Sequence, residues 1–158
     1  MFSKAPEPAN RTASSFLVFR LGSKKFGVDV EKVRELLRYD ALTKIEDHGE
    51  VIEDVAVWRN NVVPVVDMRL RFTYGMPVYE ANTSVVMLEI DGRFIGMTVD
   101  SVMEVVQLAP SQIHPLPADT PAAMCLIGMS THEGDHLILL DIGRLMPVAG
   151  APVAQKLS

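Results

Sequence analysis

A chain of 158 residues with one cysteine, Cys125, can build neither an internal disulfide framework nor a thiolate zinc site. Cys125 reads as a small buried hydrophobe, which fits a reducing compartment. Long hydrophobic runs are missing as well: none approaches the ~20 residues that cross a bilayer, so no direct membrane insertion is expected. Basic charge is in deficit. The formal net charge is −5, and without a dense Lys/Arg cluster such a surface repels a phosphate backbone, so nucleic acid is not an expected partner. The opening MFSKAPEPANRTAS has no apolar stretch of the kind a secretory signal needs and carries two prolines instead. The expectation is a cytoplasmic protein.

Catalytic signatures are absent or broken. A nucleophile elbow requires G-x-S-x-G, and Gly128-Met129-Ser130 lacks the second half. Gly22-Ser23-Lys24-Lys25-Phe26-Gly27 has glycines near lysines, but not at the spacing that aims successive N–H groups at a phosphate, and it reads as the turn of a first hairpin. Asp47 with Glu50, and Glu53 with Asp54, lie in a polar stretch with nothing to split their pKa values, which makes them a solvated surface. The string His132-Glu133-Gly134-Asp135-His136 satisfies H-E-x-x-H letter by letter. That motif binds zinc only where a helix sets both imidazoles on one face, and here Gly-Asp followed by HLILLD predicts a hairpin turn. Neither His48 nor His114 stands in a third-ligand context. The sequence therefore predicts no enzyme, no metal and no cofactor, with a small zinc metalloenzyme centred on His132 and His136 as the alternative from another class.

What is present is an ordinary globular composition, 48% hydrophobic and 22% charged, enough for one folding unit. The ends, 1–14 and 148–158, read as flexible tails, and 15–147 as the folded part. Within it the apolar residues come in runs of about four to seven bounded by Gly, Pro, Asp and Asn, the pattern of strands. Strands are expected at 16–21, 25–28, 62–67, 84–90, 93–99, 102–107, 126–130 and 136–141. Asp91-Gly92 supplies the positive-φ pair of a type I′ hairpin, and Glu133-Gly134-Asp135 a slightly longer loop. Pro64 cannot donate to a ladder, which predicts an edge or bulged strand. A short helix is expected at 30–37, capped by Asp29 with Val30, Val33, Leu36 and Leu37 on one face, and another near 142–146. Many strands and few helices give an all-β protein, as barrels or a sandwich.

Three features stand out from this frame. Arg59 lies beside Trp58 at a turn marked by Asn60-Asn61, where an indole can carry a stacked guanidinium. Asp67 and Arg69 are two apart, on one face of an extended chain. Nine methionines, several near strand ends, suit core filling and also suit surfaces that adapt to a partner.

Four segments in order resemble one family, the CheW-like domain of bacterial chemotaxis. They are FLVFRLGSKKFGVDVEKVRELLRYD (16–40), VWRNNVVPVVDMRLRF (57–72), GMTVDSVMEVVQL (96–108) and LIGMSTHEGDHLILLDIGRLM (126–146). The resemblance implies two intertwined five-stranded β-barrel lobes with short helices, and a scaffold that couples receptors to a histidine kinase without turnover. It implies as partners the regulatory domain of the kinase CheA, the helical cytoplasmic tips of methyl-accepting chemoreceptors, and other CheW-like domains, in receptor arrays near a membrane or free of it. Carried over by position, Val33 and Glu35 on the expected helix, with Arg59, Val102 and Val105, fall on the coupling surface. Pro64, Asp67, Arg69 and Asp100 fall on family positions read as structural. Around Arg59 the family's Asn-Leu-Arg-Gly keeps only the Arg, and Asn60 replaces Gly at a position it can occupy in the left-handed conformation. These departures point to a divergent coupling protein. The alternative within the family is an array component that binds receptors without activating the kinase.

Overall fold

A computed structural model describes residues 13–41, 43–44, 54–69, 80–117, 119 and 125–145. In chain order the strands are β1 (Ser14–Leu21), β2 (Lys24–Asp29), β3 (Val33–Arg38), β4 (Thr43–Lys44), β5 (Asp54–Trp58), β6 (Asn61–Asp67), β7 (Ser84–Ile90), β8 (Arg93–Val99), β9 (Ser101–Leu108), β10 (Leu126–His132) and β11 (Asp135–Leu140). One turn of α-helix, α1, follows at 142–145. Short 3-10 turns stand at Val30–Lys32, Tyr39–Ala41 and Pro110–Gln112. The chain is built from strands, as its short apolar runs predict.

The strands form a five-stranded sheet in the order β10-β11-β2-β1-β9 and a six-stranded sheet in the order β3-β7-β8-β6-β5-β4. The chain starts in the first lobe, runs through all of the second, and returns to the first at β9. The lobes are thereby intertwined. Turn chemistry fixes the hairpin registers: Asp91 and Gly92 take φ of 52° and 81°, and Glu133 and Gly134 take 52° and 85°, the paired positive values of a type I′ turn. His132 pairs with Asp135 across the second of these, so that loop has two residues, not the longer three expected. Gly22, at φ 63°, makes the β1–β2 turn.

Continuous apolar runs appear because the central strands are buried on both faces. In β1, Phe16 and Val18 enter a cluster inside the first lobe with Leu137 and Leu139, whereas Leu17, Phe19 and Leu21 enter a core shared with the second lobe. In β7 the same division holds: Val85 and Met87 join Trp58 and Val65 inside the second lobe, and Val86, Leu88 and Ile90 turn to the shared core. Each fully buried large side chain contributes roughly 1.5–3 kcal/mol. The shared core draws on both sheets, so the lobes are joined by the same force that folds each of them. Gly96 lets β8 sit close in this packing, since a Cβ there would stand 3.1 Å from side-chain carbons of Val65 and Val85, which would have to give way.

Two expectations are corrected. The helix at 30–37 is a 3-10 turn followed by β3. The Asp29 cap does form, its carboxylate accepting from Glu31 N–H at 2.9 Å, but the chain leaves the helical conformation at Val33. Residues 33–38 then alternate between half-buried and exposed. Glu35 holds one of the inward positions and Leu36 an outward one, the reverse of a sequence-readable strand. Pro64 lies in β6, an interior strand between β8 and β5. The parallel ladder to β8 begins only at Val65, which leaves room at residue 64 for a residue without an N–H. The stretch holding Asp47, His48, Glu50 and Glu53, and both tails apart from residues 13 and 14, lie outside the described residues, and β1 already begins at Ser14.

Candidate functional site

The turn between β5 and β6 places Arg59 at φ 50° and Asn60 at φ 64°, the left-handed pair of a type I′ hairpin. Asn is at home there and Arg is not, so this hairpin holds a long cation in a conformation that costs energy. Trp58 precedes it with its ring packed edge-on against Phe94, centroids 5.1 Å apart. The Arg59 guanidinium lies 5.1 Å from the indole centroid, as the sequence suggests. The structure adds a third member: Glu35 on β3 accepts from Trp58 Nε1 at 2.9 Å and pairs with Arg59 Nη2 at 3.1 Å. One carboxylate oxygen serves both groups. An exposed arginine is thus aimed by a tryptophan and a glutamate from another strand.

Val33 and Val102 come from different lobes and both pack at the border of the shared core. Register explains how. On β9, Val102 pairs with Phe19 and Val105 with Leu17, so three steps on β9 oppose two on β1. This bulge puts Val102 and Val105 on one face despite their odd spacing. Val105 is 53% exposed and is no part of the core. On β3, Val33 pairs with Leu88 and Glu35 with Met87, so a second irregularity sends two residues of equal parity to opposite faces. Val33 turns to the shared core and Glu35 to the second lobe, where Trp58 waits. Leu36, 46% exposed, pairs with Val86 and so shares the Val33 face; sequence reasoning assigned it to a helix and missed it.

Asp67, Arg69 and Asp100 form one network. Arg69 is buried and donates from Nε and Nη2 to the two carboxylate oxygens of Asp67 at 2.9 and 2.8 Å, a fork that holds both groups planar. Its Nη1 reaches Asp100 at 3.3 Å. Asp100 stands where the chain crosses from β8 in the second lobe to β9 in the first, and it accepts from Gly22 N–H at 2.6 Å. Gly22 belongs to the first lobe and Arg69 follows β6 of the second, so this carboxylate spans the junction.

The H-E-x-x-H string is a hairpin. His132 pairs with Asp135 and His136 with Thr131, so the two imidazoles point to opposite faces. His132 is buried, and Lys25, also buried, lies 3.1 Å from its Nδ1. Lys25 also meets Asp135 at 2.9 Å and, at 3.9 Å, Glu133. This ammonium holds the Asp135 carboxyl below its ordinary value, chiefly by hydrogen bonding. On the other side of the ring, Nε2 meets Glu104. Glu104, His132 and Glu133 bring ligand atoms within 4.8 Å of one another, yet the set does not fit a metal. A ligating imidazole offers its second nitrogen as a donor to a carboxylate or carbonyl. Here that nitrogen faces an ammonium, which can only donate. Sequence reasoning missed this cluster because Lys25 and His132 are 107 residues apart.

Among the described residues, every buried side-chain nitrogen and oxygen has a hydrogen-bond partner. A cleft of about 610 Å³ lined by Arg20, Ser23, Lys24, Met129, His136 and Ile138 surrounds the Lys25–Asp135 pair. No described helix is long and apolar enough to cross a membrane. Fold and site together define a two-lobed β-barrel interaction module, with buried, paired polar groups at Asp67–Arg69 and at Lys25–His132 and exposed apolar residues on β3 and β9. The family model of the CheW-like domain matches residues 15–149, and the chain belongs to that family. It is 37% identical over 133 residues to the chemotaxis protein CheW of Klebsiella aerogenes, covering 83% of this chain and 80% of that one. It is 28% identical to the protein FrzA of Myxococcus xanthus, with 88% and 89% covered. The crystal structure of the scaffolding protein TtCheW from Thermoanaerobacter tengcongensis superposes with a TM-score of 0.70 at 27% identity, over 82% of this chain and 84% of that one. Family membership makes this chain a chemotaxis adaptor that couples receptors and the kinase CheA.

Proposed function

We propose that the protein holds the helical tip of a chemoreceptor at the junction of its lobes while it adds itself to the regulatory domain of CheA, and that it does so without turnover. The observation that carries the reading is the convergence of residues from both lobes on one border: Val33 and Val102 flank the shared core. Exposed Val105 continues the apolar face along β9, while the Glu35–Arg59 pair supplies charge from the other face of β3, where Glu35 meets the β5–β6 hairpin across the second lobe. A helical hairpin docks by its apolar face, and charges beside it fix register. Binding two partners at once raises their effective concentration and sets their geometry, which requires no catalytic residue. Other CheW-like domains are a further class of partner.

Reconstitution tests this. Receptor-bearing membranes and CheA are assayed for autophosphorylation with and without the purified protein. The expected outcome is kinase activity that rises and becomes ligand-sensitive when the protein is added. Receptor and kinase that neither bind the protein nor change activity would sink the proposal. Receptor binding with a silent kinase would identify instead the array component that the changed residues around Arg59 suggest.

A further inference from the structure

We propose that Glu104 and His132 form a clasp across the barrel seam of the first lobe that holds the β9 bulge, so that Glu104 is a positioning residue for Val102 and Val105. The functional half of this rests on the reading of those valines as receptor-facing.

The topology shows why a clasp is needed. β10 and β9 are the two outer strands of the five-stranded sheet, at opposite ends of the order. No described ladder joins them, yet His132 on β10 and Glu104 on β9 meet at 2.5 Å. The sheet has curled until its edges meet: the segment after β9 joins β10 by backbone at one point, where His114 and Met129 exchange hydrogen bonds at 2.8 and 2.9 Å, and Glu104 and His132 bridge the seam by side chains where β9 itself has no ladder to β10.

Proton placement follows from what each group can donate. Lys25 carries only donors, and its Nζ lies 3.1 Å from His132 Nδ1 and 3.3 Å from the His132 carbonyl. Nδ1 therefore accepts, the single ring proton of the neutral imidazole sits on Nε2, and Nε2 donates to Glu104. Asp135 anchors Lys25 from the far side. The ring is held at both nitrogens and at its own backbone, with its side chain 5% exposed, whereas Glu104 reaches in from a surface strand with 52% of its side chain exposed.

Position along β9 supplies the function. Val102 pairs with Phe19 and Val105 with Leu17, leaving Met103 and Glu104 as the residues of the bulge. A bulge is where the ladder restrains a strand least, and where a shift of one residue turns each side chain to the other face. Glu104 ties that point to a buried imidazole. With it released, β9 can relax to a regular register, in which Val102 and Val105 no longer share a face.

The test uses the full chain with Glu104→Ala, which removes the acceptor, and Glu104→Gln, which keeps a carbonyl that Nε2–H can still reach. Amide hydrogen exchange over 101–106 and methyl contacts of Val102 and Val105 report β9; affinity for a receptor-tip hairpin reports the groove; affinity for CheA is the control. Glu104→Ala should speed exchange on the order of tenfold, shift the Val105 methyl and weaken the hairpin about fivefold, with CheA binding kept and Glu104→Gln close to wild type. Exchange and methyl contacts unchanged in Glu104→Ala overturn the clasp. An altered β9 with unchanged hairpin affinity overturns the positioning role. In that case Val105→Asp, a surface change, separates the causes, because hairpin binding that survives it too places the error in the groove reading and not in the seam.

Discussion

Reversing Arg59 to Glu tests the coupling surface most directly, and its cost to stability can be worked from the contacts. The Arg59–Glu35 pair spans 3.1 Å, with 68% of the arginine and 32% of the glutamate side chain exposed. In water, Coulomb attraction at that distance is about 1.3 kcal/mol, and measured exposed pairs contribute roughly 0.2–1 kcal/mol after entropy and screening. Loss of the cation over the Trp58 ring removes about 0.5–1 kcal/mol more. Reversal also sets two carboxylates together, a repulsion of similar size, which the Trp58 Nε1–H bond to Glu35 partly offsets. Backbone strain cancels, because Glu and Arg meet the same penalty at φ 50°. The sum is about 1–2.5 kcal/mol. At roughly 2–4 °C per kcal/mol for a domain of this size, the melting midpoint drops by several degrees and the fold survives. Binding should suffer more. A receptor-tip hairpin should bind at least about tenfold more weakly, a loss of about 1.4 kcal/mol, and kinase stimulation should fall with it. The charge swap, Glu35→Arg in the Arg59→Glu background, should recover only part of the midpoint, since an arginine at 35 cannot accept from Trp58 Nε1 and a glutamate at 59 puts no cation over the indole, and should leave coupling impaired. Arg59→Glu that binds and stimulates as wild type would refute the assignment. A swap that restores coupling in full would reduce the pair to a brace.

Arg69→Met leaves Asp67 buried without its fork, and breaking a buried pair this way costs about 3–5 kcal/mol; urea midpoints should fall accordingly, and a loss under about 1 kcal/mol would contradict the burial of the network. Gly96→Ala pushes a methyl to 3.1 Å from Val65 and Val85, so overpacking of about 1–3 kcal/mol is expected in the same assay, whereas an unchanged midpoint would mean that the second lobe's core gives way freely. Asp135 has its carboxyl lowered by Lys25, so the stability it adds is present above the unfolded value near 4 and fades as pH falls through the lower folded value. Asp135→Asn should therefore trail wild type at neutral pH and converge with it under acid, and a gap that stays constant into strong acid would count against this pairing.

The parts of the fold that the sequence reveals are those set by local chemistry. Asp91-Gly92 and Glu133-Gly134 announce their hairpins because few residues adopt paired positive φ, and runs such as SVVMLEI announce strands by length. The same runs conceal orientation: with Val85 and Met87 serving one core and Val86 and Leu88 another, there is no alternation to read. β3 was hidden for the opposite reason. Its alternation is real, but Glu35 takes an inward place and Leu36 an outward one, and an apolar count then favours a helix. β5 (DVAVW) is short and follows a polar stretch, and β4 has two residues, too few to carry any periodic signal.

Arg59 was legible as a cation beside an indole at a turn; its partner Glu35 was not, since their meeting depends on how β3 is seated. That seating is irregular, and the irregularity carries the argument further. The β3–β7 ladder shifts between Val33 and Glu35, and the β1–β9 ladder shifts against the stretch from Val102 to Val105. Both breaks fall on residues of the proposed coupling surface; a third, between Leu126 and Gly128 on β10, falls on another edge strand. A regular β3 would hold Val33 and Glu35 on one face, and a regular β9 would hold Val102 and Val105 on opposite faces; the bulges invert both relations. Periodicity is blind to such an inversion, because the residue types are unchanged and only the register moves. Strand interiors serve the shared core, where regular pairing is most stable, so a surface that must present apolar and charged groups to a partner is built at the edges, where a ladder tolerates an extra residue. The edges are then the least regular part of the described sheets and the part from which the proposed binding surface is made.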